Sequence, residues 1–121
     1  MEHDRDALTY GPYDTLFPGK YRVTFRLKWN GEQGDAPVAV VDAFSTAAGY
    51  ALNSLELKPG DFLTNDHYQS FVLELEPGQT LPDIEYRVHY LGRGRLSVDD
   101  IEVISVRVTI PKTGESIPLA N

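Results

Sequence analysis

The chain contains no cysteine, which excludes disulfide frameworks, thiol nucleophiles and cysteine zinc sites. It has only three histidines, His3, His67 and His89, and no two of them are close in sequence. A metal-dependent cupin needs closely spaced histidines and a carboxylate on one strand, so the sequence argues against that class of enzyme. The stretch LGRGRL lacks the Gly-x-x-x-x-Gly-Lys frame of a phosphate-binding loop. No catalytic motif is therefore recognisable.

Long apolar runs and basic clusters are also missing. No stretch approaches the roughly 20 apolar residues that cross a bilayer, and the N-terminal MEHDRDALTY lacks the features of a signal peptide. The net charge of −7 and the scattered basic residues argue against nucleic-acid binding and against a polybasic membrane anchor. We expect no nucleic-acid partner and no membrane insertion. An extracellular or cell-surface location, within a larger exported protein, is favoured over a cytoplasmic one.

Short runs of period two make up most of the 121 residues. GKYRVTFRLKW places Tyr21, Val23, Phe25, Leu27 and Trp29 on one side and basic residues on the other. YQSFVLELE and DIEYRVHY alternate in the same way, whereas PVAVVDAF is apolar on both phases, which is typical of a strand near the middle of a sheet. These runs predict β-strands. The basic side of the first run is explained by pairing with acids such as Glu74, Glu76 and Glu85 on other strands.

Turn residues separate the runs. Three Pro-Gly pairs, at 18–19, 59–60 and 77–78, favour type II turns. AFSTAAGYALNSLEL has some helix formers, but Gly49 favours two strands joined by a tight turn at 46–49. RLSVDDIEVISVRVTI changes phase twice, which indicates β-bulges.

The pattern predicts an all-β fold, namely an antiparallel β-sandwich of jelly-roll type with about seven to eight strands and little or no helix. An immunoglobulin-like sandwich is the alternative, but the missing cysteines and the single tryptophan at a strand end argue against it. We expect residues 1–121 to form one domain with loosely ordered tails at about 1–7 and 112–121, excised from a multidomain protein.

Strand alternation predicts that the connections alternate between two ends of the sandwich. The connections 17–19, 45–49 and 77–80 are short, and those at 30–37, 58–67 and 91–95 are mostly longer and share the opposite end. We call this second end the long-loop end. Long loops in a compact domain usually serve a function.

The long-loop end combines aromatic rings with amides, carboxylates and arginine. This mixture suits a sugar, whose C–H face stacks on a ring and whose hydroxyls need donors and acceptors. The predicted ligand-binding residues are Trp29, Asn30, Asp35, Phe62, Asn65, His67, Tyr68, Tyr90 and Arg93. The alternative is that the aromatic residues close the core and that the polar loops are simply solvated.

A calcium site is a further candidate. Asp99 and Asp100 lie at a phase change near the long-loop end, and Asp4 and Asp6 lie in a tail that starts there. Carboxylates and bulge carbonyls are the oxygen ligands that Ca²⁺ prefers. The alternative is that Asp99 and Asp100 cap the bulge by hydrogen bonds to the backbone or pair with Arg93 or Arg95. No other cofactor is predicted.

The order YGPY, LFPGKYRVTFRL, LKPGDF, YQSFVLEL and IEYRVHYLGRGRLSVDDIEV resembles β-sandwich carbohydrate-binding modules of the galactose-binding-like type. The resemblance covers residues 9–106. Such modules are often attached to bacterial glycoside hydrolases, polysaccharide lyases and glycosyltransferases. The resemblance implies a jelly roll without catalysis, glycan recognition in end loops or on a concave sheet face, and in some members a structural calcium near a late acidic strand such as Asp99-Asp100.

We therefore expect a non-catalytic carbohydrate-binding module that recognises a glycan or polysaccharide and brings an attached catalytic domain close to it. The first alternative is a structural or interaction domain in which Arg22, Arg26 and Arg87 contact a neighbouring domain. The second is a small glycan-active enzyme with a facing pair of carboxylates.

Overall fold

The computed structural model describes residues 7–63 and 66–106, with side chains from residue 14 onward. Seven strands and one short 3-10 helix occupy these residues. In chain order they are β1 (Ala7–Leu16), β2 (Lys20–Asn30), β3 (Ala39–Ser45), β4 (Tyr50–Leu57), the 3-10 helix (Pro59–Asp61), β5 (Gln69–Leu75), β6 (Leu81–Tyr90) and β7 (Arg95–Val106). The prediction of an all-β fold with seven or eight strands is confirmed. The predicted tails lie outside the described residues, apart from Ala7.

The strands form two antiparallel sheets, as expected for a sandwich. One sheet has four strands in the order β1-β6-β3-β4, and the other has three in the order β5-β2-β7. β3 lies between β6 and β4, which agrees with the central position predicted from its apolar sequence. The jelly-roll type stays a prediction. The described part of the chain has no helix long and apolar enough to cross a membrane.

The core lies between the two sheets and is built from the alternating residues of the sequence. Val23, Phe25, Leu27 and Trp29 of β2 are at most 1% exposed. Inward residues of the other strands meet them, among them Val41 and Ala43 of β3, Leu73 and Leu75 of β5, and Ile84 and Val88 of β6. Full burial of a valine, leucine or phenylalanine side chain stabilises a fold by roughly 1.5–3 kcal/mol. The period-two pattern therefore specifies which face of each strand is buried.

One of the two phase changes in β7 is a bulge. Arg26 of β2 pairs with Asp100, but the next residue, Leu27, pairs with Val98, so that Asp99 is the extra residue. The second change, near Ile104, leaves the register unbroken, and Ile104 is 45% exposed on the outer face. The prediction of a bulge is confirmed at the first change and is wrong at the second, where an isoleucine simply faces outward.

The turn at 46–49 is confirmed. Gly49 has a φ of 82°, and its N–H donates to the carbonyl of Ser45 at 2.7 Å. The Ser45 hydroxyl also accepts from the N–H of Ala48 at 3.0 Å, so a buried serine closes the turn. A type II turn is wrong for residues 59–60, which open the 3-10 helix, and for residues 77–78, where Gly78 lacks the positive φ that such a turn requires. In the 3-10 helix, Asp61 accepts from the N–H of Lys58 through its carboxylate at 2.8 Å.

Backbone hydrogen bonds between connections define the two ends. At the long-loop end, the Val38 N–H donates to the Leu57 carbonyl at 2.8 Å and the Leu91 N–H donates to the Val38 carbonyl at 3.1 Å. At the other end, the Gly19 N–H donates to the Pro77 carbonyl at 3.3 Å. The predicted grouping of the loops is therefore confirmed, and the described parts of the connections 31–38, 58–68 and 91–94 lie around the end of β2.

Candidate functional site

Trp29 lies in the core at the long-loop end. Its indole N–H donates to the Arg93 carbonyl at 2.9 Å, and its ring packs against Phe62 with centroids 5.9 Å apart. Trp29 is 1% exposed and Phe62 is 4% exposed. Neither ring therefore presents a free face on which a sugar could stack, and both close the core as in the alternative drawn from the sequence.

Two glycines cover the Trp29 ring. A Cβ atom at Gly31 would lie 2.6 Å from Trp29 Cζ2, and one at Gly94 would lie 2.6 Å from Trp29 Nε1. Contacts this short do not occur at real Cβ atoms without displacement of a neighbour. We call Gly31 and Gly94 the glycine collar. It lets two loops approach the indole more closely than any side chain would allow.

A cleft of about 450 Å³ opens between the loops around this collar. Its apolar lining comes from an edge of Trp29 together with Ala36, Val38 and Pro59. Its polar lining comes from three residues, Glu32, Gln33 and Arg93, all of which are exposed. This volume lies within the range of small-molecule sites, and the mixture of apolar surface with a few polar groups is typical of them.

The structure brings only some of the predicted ligand-binding residues to this cleft. Trp29 and Arg93 line it. Tyr90 lies next to it and donates its hydroxyl to the Gly94 carbonyl, so its polar end is already engaged. Asn30 is the exposed last residue of β2, and Asp35 is exposed in the same loop as Glu32 without lining the cleft. Glu32 and Gln33 are the polar residues that the predicted set omitted.

Tyr68 lies on a different surface, the outer face of the three-stranded sheet. The Lys28 ammonium is 4.9 Å from its ring centroid, and the Arg26 guanidinium carbon is 5.6 Å from it. Both cations also pair with acids, Lys28 with Asp66 at 3.8 Å and Arg26 with Asp99 at 3.0 Å. His67 is exposed in the preceding loop, and Asn65 lies outside the described residues.

The basic side of β2 is largely neutralised by acids on its own face. Besides these two pairs, Arg22 lies opposite Glu74 and reaches it at 4.0 Å. The predicted cross-strand pairing is confirmed for Glu74, but Glu85 lies on the other sheet and accepts from Thr46 at 2.8 Å. Arg87 is also on the other sheet, so it does not share a face with the arginines of β2.

The acidic pair predicted as a calcium site has a nearby cation. Asp99, the bulge residue, accepts from Arg26 Nε on β2 at 3.0 Å, so the arginine in this contact is neither Arg93 nor Arg95, the two that the sequence suggested. Within the described residues, no group of three or more histidine, aspartate or glutamate side chains could hold a metal ion. Asp4 and Asp6 lie outside those residues. Calcium at Asp99 and Asp100 stays a prediction.

A buried charge cluster occupies the outer face of the four-stranded sheet. Asp42 of β3 is 5% exposed and accepts two hydrogen bonds from Arg87, at 2.9 and 2.7 Å. His89 Nε2 lies 3.3 Å from the same carboxylate, and the Arg87 guanidinium stacks 4.1 Å above the Phe44 ring. Hydrogen bonding to Asp42 raises the pKa of Arg87 further. The visible sequence signal was an aspartate inside an otherwise apolar strand, and its two partners lie 45 and 47 positions away.

Tyr86 places a polar group in the core, on the opposite face of the sheet from this cluster. It is 4% exposed, and its hydroxyl lies near the Asp14 carboxylate without a hydrogen bond of good geometry to any group in the described part of the chain. Burial raises the pKa of Tyr86 well above its ordinary value, and the nearby Asp14 carboxylate raises it further. None of Asp42, Arg87 and Tyr86 lines the cleft at the long-loop end.

Comparisons of the chain with protein-family models, with curated proteins and with solved structures find no match. The fold and the cleft described above are therefore the observations that bear on function.

Proposed function

We propose that this domain is a non-catalytic carbohydrate-binding module whose ligand occupies the cleft at the long-loop end. The observation that carries the proposal is the lining of the cleft, in which the half-buried Ala36, next to the buried Val38 and Pro59, adjoins the polar side chains of Glu32, Gln33 and Arg93. A pyranose has the matching character, since it offers apolar C–H groups and hydroxyls that both donate and accept.

The three polar residues supply complementary hydrogen-bonding groups. Glutamate accepts, arginine donates, and the glutamine amide does both. They project from two loops whose backbones are fixed at the Trp29 ring by the glycine collar and by the indole hydrogen bond at 2.9 Å. Such fixed loops lose little conformational entropy on binding, which favours affinity. In this proposal Trp29 supports the site rather than stacking on the sugar.

A glycan array followed by affinity gel electrophoresis on polysaccharides tests this function. We expect retention of the domain by at least one glycan, with no release of reducing ends during prolonged incubation. Gln33→Ala should weaken binding by up to about 10-fold, the free energy of one hydrogen bond. Gln79→Ala is the matched control, because Gln79 lines a separate cleft of about 350 Å³ at the other end.

Trp29 provides a second readout, since it is the only tryptophan of the chain and lies at the base of the cleft. A ligand in the cleft should change its fluorescence emission at the concentrations that retard the domain in the gel. No retention by any glycan of a broad panel, together with an unchanged emission, would contradict the proposal.

An interaction domain is the second candidate, and one observation favours it. Val72 and Ile104 are 43% and 45% exposed on the outer face of the three-stranded sheet, on either side of β2. Exposed apolar residues between ion pairs are found at protein interfaces. If Val72→Ser abolished association with a neighbouring domain of the parent chain while Gln33→Ala had no effect on glycan retention, this candidate would replace the first.

A further inference from the structure

The turn between β6 and β7 is built to hold the backbone of Arg93 in one position. Gly92 and Gly94 flank it with φ angles of 85° and 67°, in the region that residues with a side chain rarely adopt. The Arg93 carbonyl accepts the indole N–H of Trp29, and the Gly94 carbonyl accepts the hydroxyl of Tyr90. Two aromatic side chains therefore anchor the backbone on which Arg93 is carried.

Arg93 also differs from three other arginines of the chain in its electrostatic surroundings. Arg22, Arg26 and Arg87 each pair with a carboxylate of a neighbouring strand. Arg93 is exposed at the cleft, and its guanidinium has no hydrogen-bond or ion-pair partner among the described residues. With 18 acidic and 11 basic residues in the chain, acids are plentiful, yet none in the described part of the chain neutralises this arginine.

We propose that the cleft recognises an acidic sugar, and that Arg93 binds the carboxylate of a uronic acid residue. This proposal rests on the proposed glycan-binding function and specifies its ligand class. A guanidinium matches a carboxylate with two parallel hydrogen bonds, and hydrogen bonds between charged groups are stronger than neutral ones. Glu32 and Gln33 on the facing loop remain available for the sugar hydroxyls.

The overall charge restricts the ligand further. Arg93 is the only cation among the described residues that line the cleft, and Glu32 is the only acid. The net charge of −7 also disfavours a polyanion, because the domain repels it within the screening distance of about 10 Å at 0.1 M salt. The cleft therefore matches one isolated or terminal uronate in a mostly neutral glycan better than it matches a polyuronate.

Matched ligands test the inference. An oligosaccharide with one uronate is compared with its carboxyl-reduced counterpart, which differs only in that group, by calorimetry and by Trp29 fluorescence titration. We expect reduction of the carboxyl to weaken binding roughly 10- to 100-fold, the range for one charged pair. Arg93→Gln should abolish this preference, Arg93→Lys should retain part of it, and Glu32→Gln should strengthen binding of the acidic form. Arg22→Gln, on the outer face of the three-stranded sheet, should leave the preference unchanged.

The outcomes separate this inference from the proposed function. Equal binding of both oligosaccharides, unaffected by Arg93→Gln, would overturn the uronate assignment and leave the glycan-binding function standing. Binding of neither ligand, nor of any glycan on the array, would overturn both. Because Arg93 is exposed, its variants should keep the unfolding midpoint and the Trp29 emission of the parent domain, so that a loss of preference reports on the ligand contact.

Discussion

Alanine at either position of the glycine collar should destabilise the fold, because the new Cβ atom would overlap the buried Trp29 ring. At Gly31 the nearest atom is Trp29 Cζ2 at 2.6 Å. At Gly94 the Cβ would meet Trp29 Nε1 at 2.6 Å and the Asn30 carbonyl oxygen at 2.7 Å. Neither neighbour is the free end of a flexible side chain, so the strain cannot be relieved by a simple rotation.

The two substitutions should differ in size. Overpacking of a tightly packed site costs about 1–3 kcal/mol, which is the expected loss for Gly31→Ala. Gly94 also has a φ of 67°, and the left-handed conformation adds roughly 1–2 kcal/mol for alanine. Gly94→Ala should therefore lose about 2–5 kcal/mol. Gly34 lines the same cleft but would place its Cβ in open space, so Gly34→Ala should be neutral or stabilise by up to about 1 kcal/mol.

Urea unfolding followed by far-ultraviolet circular dichroism measures these free energies. A double-mutant cycle with Trp29→Phe then identifies the cause, because the smaller ring lacks the atoms that Gly31→Ala would meet. The cost of Gly31→Ala should fall by about 1 kcal/mol or more in that background. Identical unfolding midpoints for Gly31→Ala and Gly34→Ala would refute the close packing of Gly31 against Trp29. If Gly31→Ala lost the same free energy of unfolding in the Trp29→Phe background, the strain would arise elsewhere.

Two further predictions concern the buried polar groups. Asp42→Asn should destabilise the fold by roughly 2–4 kcal/mol in urea unfolding, because it leaves the Arg87 guanidinium without its carboxylate, whereas Asp99→Asn, in a half-exposed pair, should cost about 1 kcal/mol or less. Equal losses would contradict this difference. Tyr86→Phe should be neutral or stabilise by about 1 kcal/mol at neutral pH, since it removes an unpaired buried hydroxyl. The raised pKa of Tyr86 favours the protonated form in the fold, so the parent should lose stability as the pH rises above about 10. The Tyr86→Phe variant should lose less stability over this pH range. Identical profiles of stability against pH for the two proteins would exclude a contribution from the ionisation of Tyr86.

The strands were predictable because a half-buried strand repeats every two residues. In β2 and β6 the alternate residues that are apolar in the sequence are the ones that are buried. The bulge at Asp99 was visible as a shift of this alternation by one residue. Alternation of strand direction then sorted the connections between the two ends. These features depend on neighbours in sequence, which is why a single chain reveals them.

The site was less predictable because it depends on contacts between distant residues. Trp29 was correctly placed at the long-loop end, but its burial follows from Phe62 and from a turn 64 positions away, which no local pattern reports. The same limitation concealed the pairing of Asp42 with Arg87. The stretch LGRGRL does not bind phosphate through a known motif, but its two glycines shape a turn whose backbone at Arg93 is held by Trp29.

The burial of Trp29 changes how a loss of binding must be interpreted. If this residue were a stacking platform, truncation would remove a direct contact and leave the loops in place. In the structure its N–H holds the Arg93 carbonyl and its ring supports both glycines of the collar, so truncation would release the two loops that carry Glu32, Gln33 and Arg93. A loss of binding in a Trp29 variant therefore does not identify an aromatic subsite. Only substitutions that keep the indole and change one exposed side chain can assign the contact that selects the ligand.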